Sequence, residues 1–210
     1  GGLVGYFGYE TIAYIESRLD HDEKPDPLGT PDILLMVSDE VIVFDNLSGK
    51  LFIIVHVDPN QPSALADGEK RLQAIEDGLR KPVPATPGHE ARQVNEADFV
   101  SGFTEEGFKS AVDKARQYII DGDIMQVVLS QRLTIPYHAR PVELYRALRS
   151  LNPSPYMYYL DLGDHHVVGS SPEILVHLED NQITVRPIAG TRPRGEDEAS
   201  DRALEQDLLA

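Results

Sequence analysis

The residues with the most chemistry in them lie in residues 183–195, ITVRPIAGTRPRG. Arg186, Arg192 and Arg194 crowd a stretch whose middle, Ala189-Gly190-Thr191, carries nothing bulky. Another molecule therefore has room to reach the backbone there. Small residues, one hydroxyl and several guanidiniums together suit a small, oxygen-rich anion. The same residues also describe a Gly/Pro turn with solvated arginines, and spacing alone leaves both readings open. A second set lies in residues 124–135, where Gln126, Ser130 and Arg132 alternate with Met125, Val127, Leu129 and Leu133. That alternation predicts a strand whose polar side either lines a wet cavity or faces solvent. A third is the NPSPYM run of Asn152, Pro153, Ser154, Pro155, Tyr156 and Met157. It is either a rigid turn offering backbone groups beside an apolar wall, or an ordinary helix-ending turn. His165 and His166 do not read as a metal pair, because adjacent strand residues point to opposite faces. Residues 20–32 form an acidic, proline-bearing loop that reads as solvated rather than as a cation site.

Composition narrows the partners. The 210 residues carry 19 Lys+Arg against 35 Asp+Glu, a net charge of −16. Phosphate binding needs a basic face, so nucleic acid is not the expected partner. The long-range field repels anions, and an anion site must be local, which is why the arginine cluster stands out. There is no cysteine, hence no disulfide, thiolate nucleophile or zinc-thiolate site. A reducing cytoplasm is compatible with that. No apolar run approaches the ~20 residues that cross a bilayer as a helix.

These residues need elements to hold them. Residues 1–16 carry glycines at 1, 2, 5 and 8 among aromatics, matching no phosphate loop and predicting close packing under other elements. Residues 33–37, 41–45 and 51–57 read as three strands of a β-meander. Leu65, Leu72, Ile75 and Leu79 predict a surface helix over 65–79, and residues 81–98 have linker composition. Residues 108–119 are the clearest helix, with Phe108, Ala111, Val112, Ala115 and Ile119 on one face. Thr104 is its expected N-cap and Gly122 its C′ residue. Pro141 opens a helix to Leu151, with Leu144, Leu148 and Leu151 aligned. Residues 156–162 with 167–169, and 174–178 with 182–188, read as strand pairs. Ser200 is the expected cap of a last helix carrying Leu204 and Leu208. The chain starts on Gly1 and stops at Ala210 inside that helical pattern, which predicts a fragment.

Several of these stretches, taken in order, resemble the chorismate-utilising enzymes, and within them the large, synthase components of anthranilate synthases. The matching pieces are GGLVGYFGYE, PDILLMVSDEVIVFDN, DGDIMQVVLSQR, LNPSPYMYYLDL, GSSPEILV and RPIAGTRPRG. The resemblance implies an α+β fold: a layered sandwich of two large, mainly antiparallel sheets flanked by helices, here incomplete. It implies an N-terminal part over 1–98 and the start of the chorismate-binding region over 99–210.

The implied chemistry starts from chorismate held with magnesium. Ammonia adds at ring carbon 2, the 4-hydroxyl leaves, and pyruvate is eliminated to give anthranilate in tryptophan biosynthesis. The implied partners are a glutamine amidotransferase subunit that supplies the ammonia, and tryptophan as feedback inhibitor. By the same resemblance Gly190 and Thr191 contact chorismate, and Asn152, Pro153, Ser154, Pro155, Tyr156 and Met157 bind tryptophan. Relatives that aminate ring carbon 4 carry a nucleophilic lysine where this chain has Ala189, which cannot form an adduct. Relatives that add water carry a lysine base where this chain has Gln126, and an amide is no base. Gln126 is therefore expected as active-site wall rather than as catalyst. Magnesium ligands are expected beyond Ala210, and the stretch alone is expected to be inactive. The alternatives are aminodeoxychorismate synthase component I, and a tryptophan-binding or subunit-docking module without catalysis.

Overall fold

In a computed structural model of the chain, residues 1–19, 25–83, 93–186 and 190–209 are described. They fall in two units, Gly1–Pro87 and Gly88–Ala210. Every ladder among the described residues is two-stranded and antiparallel, and helices are interspersed among the strands along the chain, an α+β arrangement.

In the first unit β1 (Gly2–Phe7) pairs with β2 (Ile33–Ser38), setting Val4 opposite Met36 and Gly5 opposite Leu35. A Cβ at Gly5 would strike the Leu34 carbonyl, so the glycine-rich opening does serve close packing. A 3-10 helix over Tyr9–Tyr14 follows β1. Strands β3 (Glu40–Asp45) and β4 (Lys50–Val55) form a hairpin. The Asp45 carboxylate shapes its turn by accepting from the Leu47 and Ser48 N–H groups at 3.0 and 3.1 Å.

The expected meander is thus one hairpin, β3–β4, beside a separate β1–β2 ladder. Alternation marks a strand but does not say which neighbour it pairs with, and β2 takes the distant β1 rather than the adjacent β3. Helix α1 (Ala64–Leu79) packs on β4. It half-buries Arg71, Leu72 and Ile75 around the buried Gly68, while Arg71 reaches Asp39 at 3.0 Å and Glu40 at 2.7 Å. Leu65 and Leu79, expected on that face, are exposed.

In the second unit helix α2 (Glu105–Ile120) is capped as its sequence predicts. The Thr104 hydroxyl accepts from the Gly107 N–H at 3.1 Å. Gly122, at φ 81°, closes the other end. There the Asp123 N–H donates to Tyr118 O at 2.9 Å and the Gly122 N–H to Ile119 O at 3.2 Å, a Schellman arrangement. The strand expected over 124–135 is mostly absent. Only β6 (Leu133–Thr134) forms a ladder, with β5 (Val100–Ser101). A ladder needs a partner alongside, and this two-residue strand covers only the end of the run. Met125 is 97% exposed, so the expected inward face is not formed.

Helix α3 (Pro141–Leu151) begins on its proline and packs on β7 (Tyr156–Asp161) and β8 (His166–Ser171). Its contact face is Val142, Tyr145 and Leu148 rather than the predicted leucine row, for Leu144 and Leu151 are exposed. Tyr145 meets Tyr159 edge to face at 6.2 Å. Strands β9 (His177–Glu179) and β10 (Gln182–Thr184) pair across Asp180 and Asn181, both at positive φ. That two-residue turn matches the right-handed twist of its strands. Helix α4 (Glu198–Leu209) closes the chain. Its cap is Asp197 rather than Ser200. The Asp197 carboxylate accepts the Ser200 N–H at 2.8 Å, and the Ser200 hydroxyl accepts the Asp197 N–H at 3.1 Å. This reciprocal pair places Ser200 at the third helical position.

No hydrophobic side chain among the described residues is fully buried. The accessible surface is 18302 Å², against about 12,000 Å² for two compact units sharing this mass. The apolar sides of the hairpins and helices are open.

Candidate functional site

The arginine-bearing loop runs from Gly190 to Gly195 between β10 and α4, and α4 decides its geometry. Asp201, Leu204, Glu205 and Leu208 fall at the i, i+3, i+4, i+7 spacing that makes one helical stripe. With Arg192, Pro193 and Arg194 that stripe bounds a concavity of about 280 Å³. Two guanidiniums are engaged across it. Arg192 Nε lies 2.6 Å from Asp207 Oδ2, and Arg194 Nη2 lies 2.7 Å from Asp201 Oδ2. Their charges are therefore met by carboxylates of the same chain and are not free for an anion while those pairs hold. Arg186 is exposed and makes no ion pair among the described residues.

Gly190 and Thr191 are exposed, and the Thr191 carbonyl accepts from Arg192 Nη1 at 3.2 Å. A Cβ on Gly190 would stand 2.8 Å from Leu208 Cδ1, which places that glycine beside the concavity. Ala189 lies outside the described residues, as does the rest of 187–189. Gln126 is exposed on the segment without a ladder partner, and no hydrogen bond ties it to the loop. Its near neighbour Gln131 is anchored instead, with its Nε2 2.5 Å from Ser101 Oγ.

The NPSPYM turn is held by β8. Ser170 Oγ donates to the Asn152 carbonyl at 2.9 Å, and Ser154 Oγ donates to the Ser171 carbonyl. In register, Tyr156 sits opposite Ser171 and Met157 opposite Ser170. Met157 is half-buried; Pro153, Pro155 and Tyr156 are exposed. These two serines were not legible as supports. Their only signal is that they directly follow the predicted strand 167–169; the Ser171 hydroxyl donates to the carbonyl of Glu173, two residues on.

Only His166 lies in β8, with His165 in the turn before it, and the two face different carboxylates. His165 Nδ1 lies 2.6 Å from Asp164 Oδ1 and His166 Nε2 lies 3.3 Å from Asp161 Oδ1. The histidine hydrogen bond holds the Asp164 carboxyl below its ordinary range. In the acidic loop, of which 20–24 lie outside the described residues, Asp26 caps the Leu28 and Gly29 N–H groups at 3.1 and 2.9 Å. Asp32 accepts from the Tyr14 hydroxyl at 2.9 Å, which raises that phenol above its usual range. No group of three or more His, Asp or Glu among the described residues is arranged to hold a metal ion.

The family described as chorismate binding enzyme matches residues 1–210, the whole chain. The chain belongs to that family. It is similar to anthranilate synthase component 1 of Pseudomonas putida, 56% identical over all of this chain and 43% of that protein. It is similar also to the component 1 of Neisseria gonorrhoeae, 54% identical over 100% of this chain and 43% of the relative. Among solved structures, anthranilate synthase component I from Streptococcus pneumoniae TIGR4 superposes with a TM-score of 0.80 at 34% identity. It is covered over 45% of its length by the whole of this chain. The chain therefore spans less than half the length of the relatives it matches. No helix among the described residues is long and apolar enough to cross a membrane.

Proposed function

We propose that this stretch is part of an anthranilate synthase component I, a cytoplasmic lyase of tryptophan biosynthesis. It converts chorismate and ammonia to anthranilate and pyruvate, with water as the third product. The observation that carries this is the match of residues 1–210 to the chorismate binding enzyme family, with 56% identity to a relative named anthranilate synthase component 1. Gly190 and Thr191 are the proposed contacts to chorismate, through backbone and hydroxyl. Gln126 is proposed as wall rather than base. Ala189 supports amination at carbon 2 over amination at carbon 4, because a methyl group offers no nucleophile.

Asn152, Pro153, Ser154, Pro155, Tyr156 and Met157 are proposed to take tryptophan. The turn's backbone, fixed at the Asn152 carbonyl, and its half-buried Met157 put polar and apolar groups side by side. A glutamine amidotransferase subunit is the proposed ammonia source. Magnesium is the proposed cofactor, although the described residues do not furnish a site for it.

The test is the full-length protein given chorismate, magnesium chloride and ammonium. The expected result is anthranilate fluorescence with pyruvate in equal amount. Chorismate consumed to a different aromatic, or not consumed, overturns the reading.

A further inference from the structure

Between β10 and α4 the loop is gripped at both ends by one helix stripe. At its start Gly190 lies against Leu208. At its end the Gly195 N–H donates to Asp201 Oδ1 at 2.8 Å, in a part-buried position. Seven residues separate Asp201 from Leu208, about 10 Å of helix, and the loop crosses that span.

The Gly195 junction is too tight for any other residue. A Cβ there would stand 2.6 Å from both Asp201 Cα and Ser200 Oγ. Asp201 Oδ2 also takes Arg194, but that guanidinium is 90% exposed while the Asp201 side chain is 30% exposed. Solvent screens the ion pair, so the part-buried N–H bond to a carboxylate is the stronger restraint. Asp201 itself is fixed in the first turns of α4, downstream of the Asp197–Ser200 capping pair. The aspartate therefore transmits the helix's position to the loop.

We propose that Asp201 is a positioning residue for the substrate loop: it sets Gly190 and Thr191 by holding Gly195, without touching substrate. This rests on the reading of Gly190 and Thr191 as contacts to chorismate. It makes α4 the element that fixes the loop, and it explains an aspartate facing a segment otherwise suited to anions.

The test uses the full-length protein with D201A, D201N and wild type. Steady-state anthranilate formation is measured against chorismate and, separately, against ammonium. Amide exchange at Gly195 reports the hydrogen bond directly. D201A is expected to raise the KM for chorismate tenfold or more, with kcat and the ammonium KM within threefold. D201N keeps an acceptor oxygen at the same place but loses the charge, and is expected to fall between wild type and D201A, with the chorismate KM raised about three- to fivefold. Should D201A fail to fold, D201N carries the test, with a several-fold rise in chorismate KM and faster Gly195 exchange expected.

A chorismate KM within twofold of wild type in D201A overturns the proposal, even if Gly195 exchange quickens, since the loop would then be held to no purpose. So does a loss confined to kcat, or, where only D201N folds, a KM unchanged within 1.5-fold. A wild-type protein that does not consume chorismate is a different result. It overturns the functional reading on which this one stands.

Discussion

At Thr191 the hydroxyl is exposed while the next two guanidiniums along the loop are tied to helix carboxylates. This division of labour bears on how a dianion could be met. Paired arginines contribute shape and a reduced local negative charge, whereas the hydroxyl and the Gly190 backbone remain available as donors. In the full-length protein, T191A is expected to lower kcat/KM for chorismate by about tenfold, the loss of one hydrogen bond to a charged group. T191S, which keeps the hydroxyl, is expected within threefold of wild type. Steady-state fluorescence of the product checks both, and equal loss in the two variants would contradict a role for the hydroxyl. The sequence made these residues visible by type, since glycine, threonine and arginines in an acidic chain are conspicuous. It did not reveal that the arginines were already engaged. Asp201 and Asp207 sit in a helix whose acids look merely solvated until the loop is seen folded back on them.

At the scale of the element, what was legible is what is local. Thr104 capping α2, Gly122 ending it and Pro141 opening α3 each depend on neighbours within about four residues. Partners further away were not legible. The alternation of residues 124–132 carried no information about whether a second strand lay beside it, and β2 paired with β1 across a long loop.

The cap of α4 sits between these cases. Ser200 was visible as a capping type, but the carboxylate three residues earlier takes the N-cap. The Ser200 N–H, then its hydroxyl, holds the Asp197 carboxyl below its ordinary range. A depressed folded value means the cap's contribution is present above the unfolded value, about pH 3.9, and is lost as pH falls through the lower folded one. Amide exchange at Ser200, corrected for intrinsic rate, should therefore quicken as pH falls through that window. In D197N the pH step that remains after this correction should disappear. A step of equal size in both would assign it to another group.

For the molecule as a whole, two quantities govern behaviour: a net charge of −16 and the open apolar surface. The first repels anions at long range, so binding of the proposed substrate is expected to tighten as salt screens the field. The second follows from side chains such as Leu175, 90% exposed, and Leu47, 99% exposed. Composition alone could not show it, because an ordinary hydrophobic content says nothing about which faces are covered. The 210 residues on their own are expected to bind a hydrophobic dye such as ANS, to melt broadly and to give no anthranilate. No dye binding and a sharp two-state transition would contradict the open surface.

In the proposed function, a loop without an amine nucleophile holds chorismate for amination at ring carbon 2. The most direct test is the full-length protein quenched during turnover with chorismate, magnesium chloride and ¹⁵N-ammonium, followed by intact-mass and product analysis. The predicted result is an unmodified polypeptide mass and ¹⁵N in anthranilate. A chorismate-derived adduct on the chain, or label at the para position of the product, would contradict it.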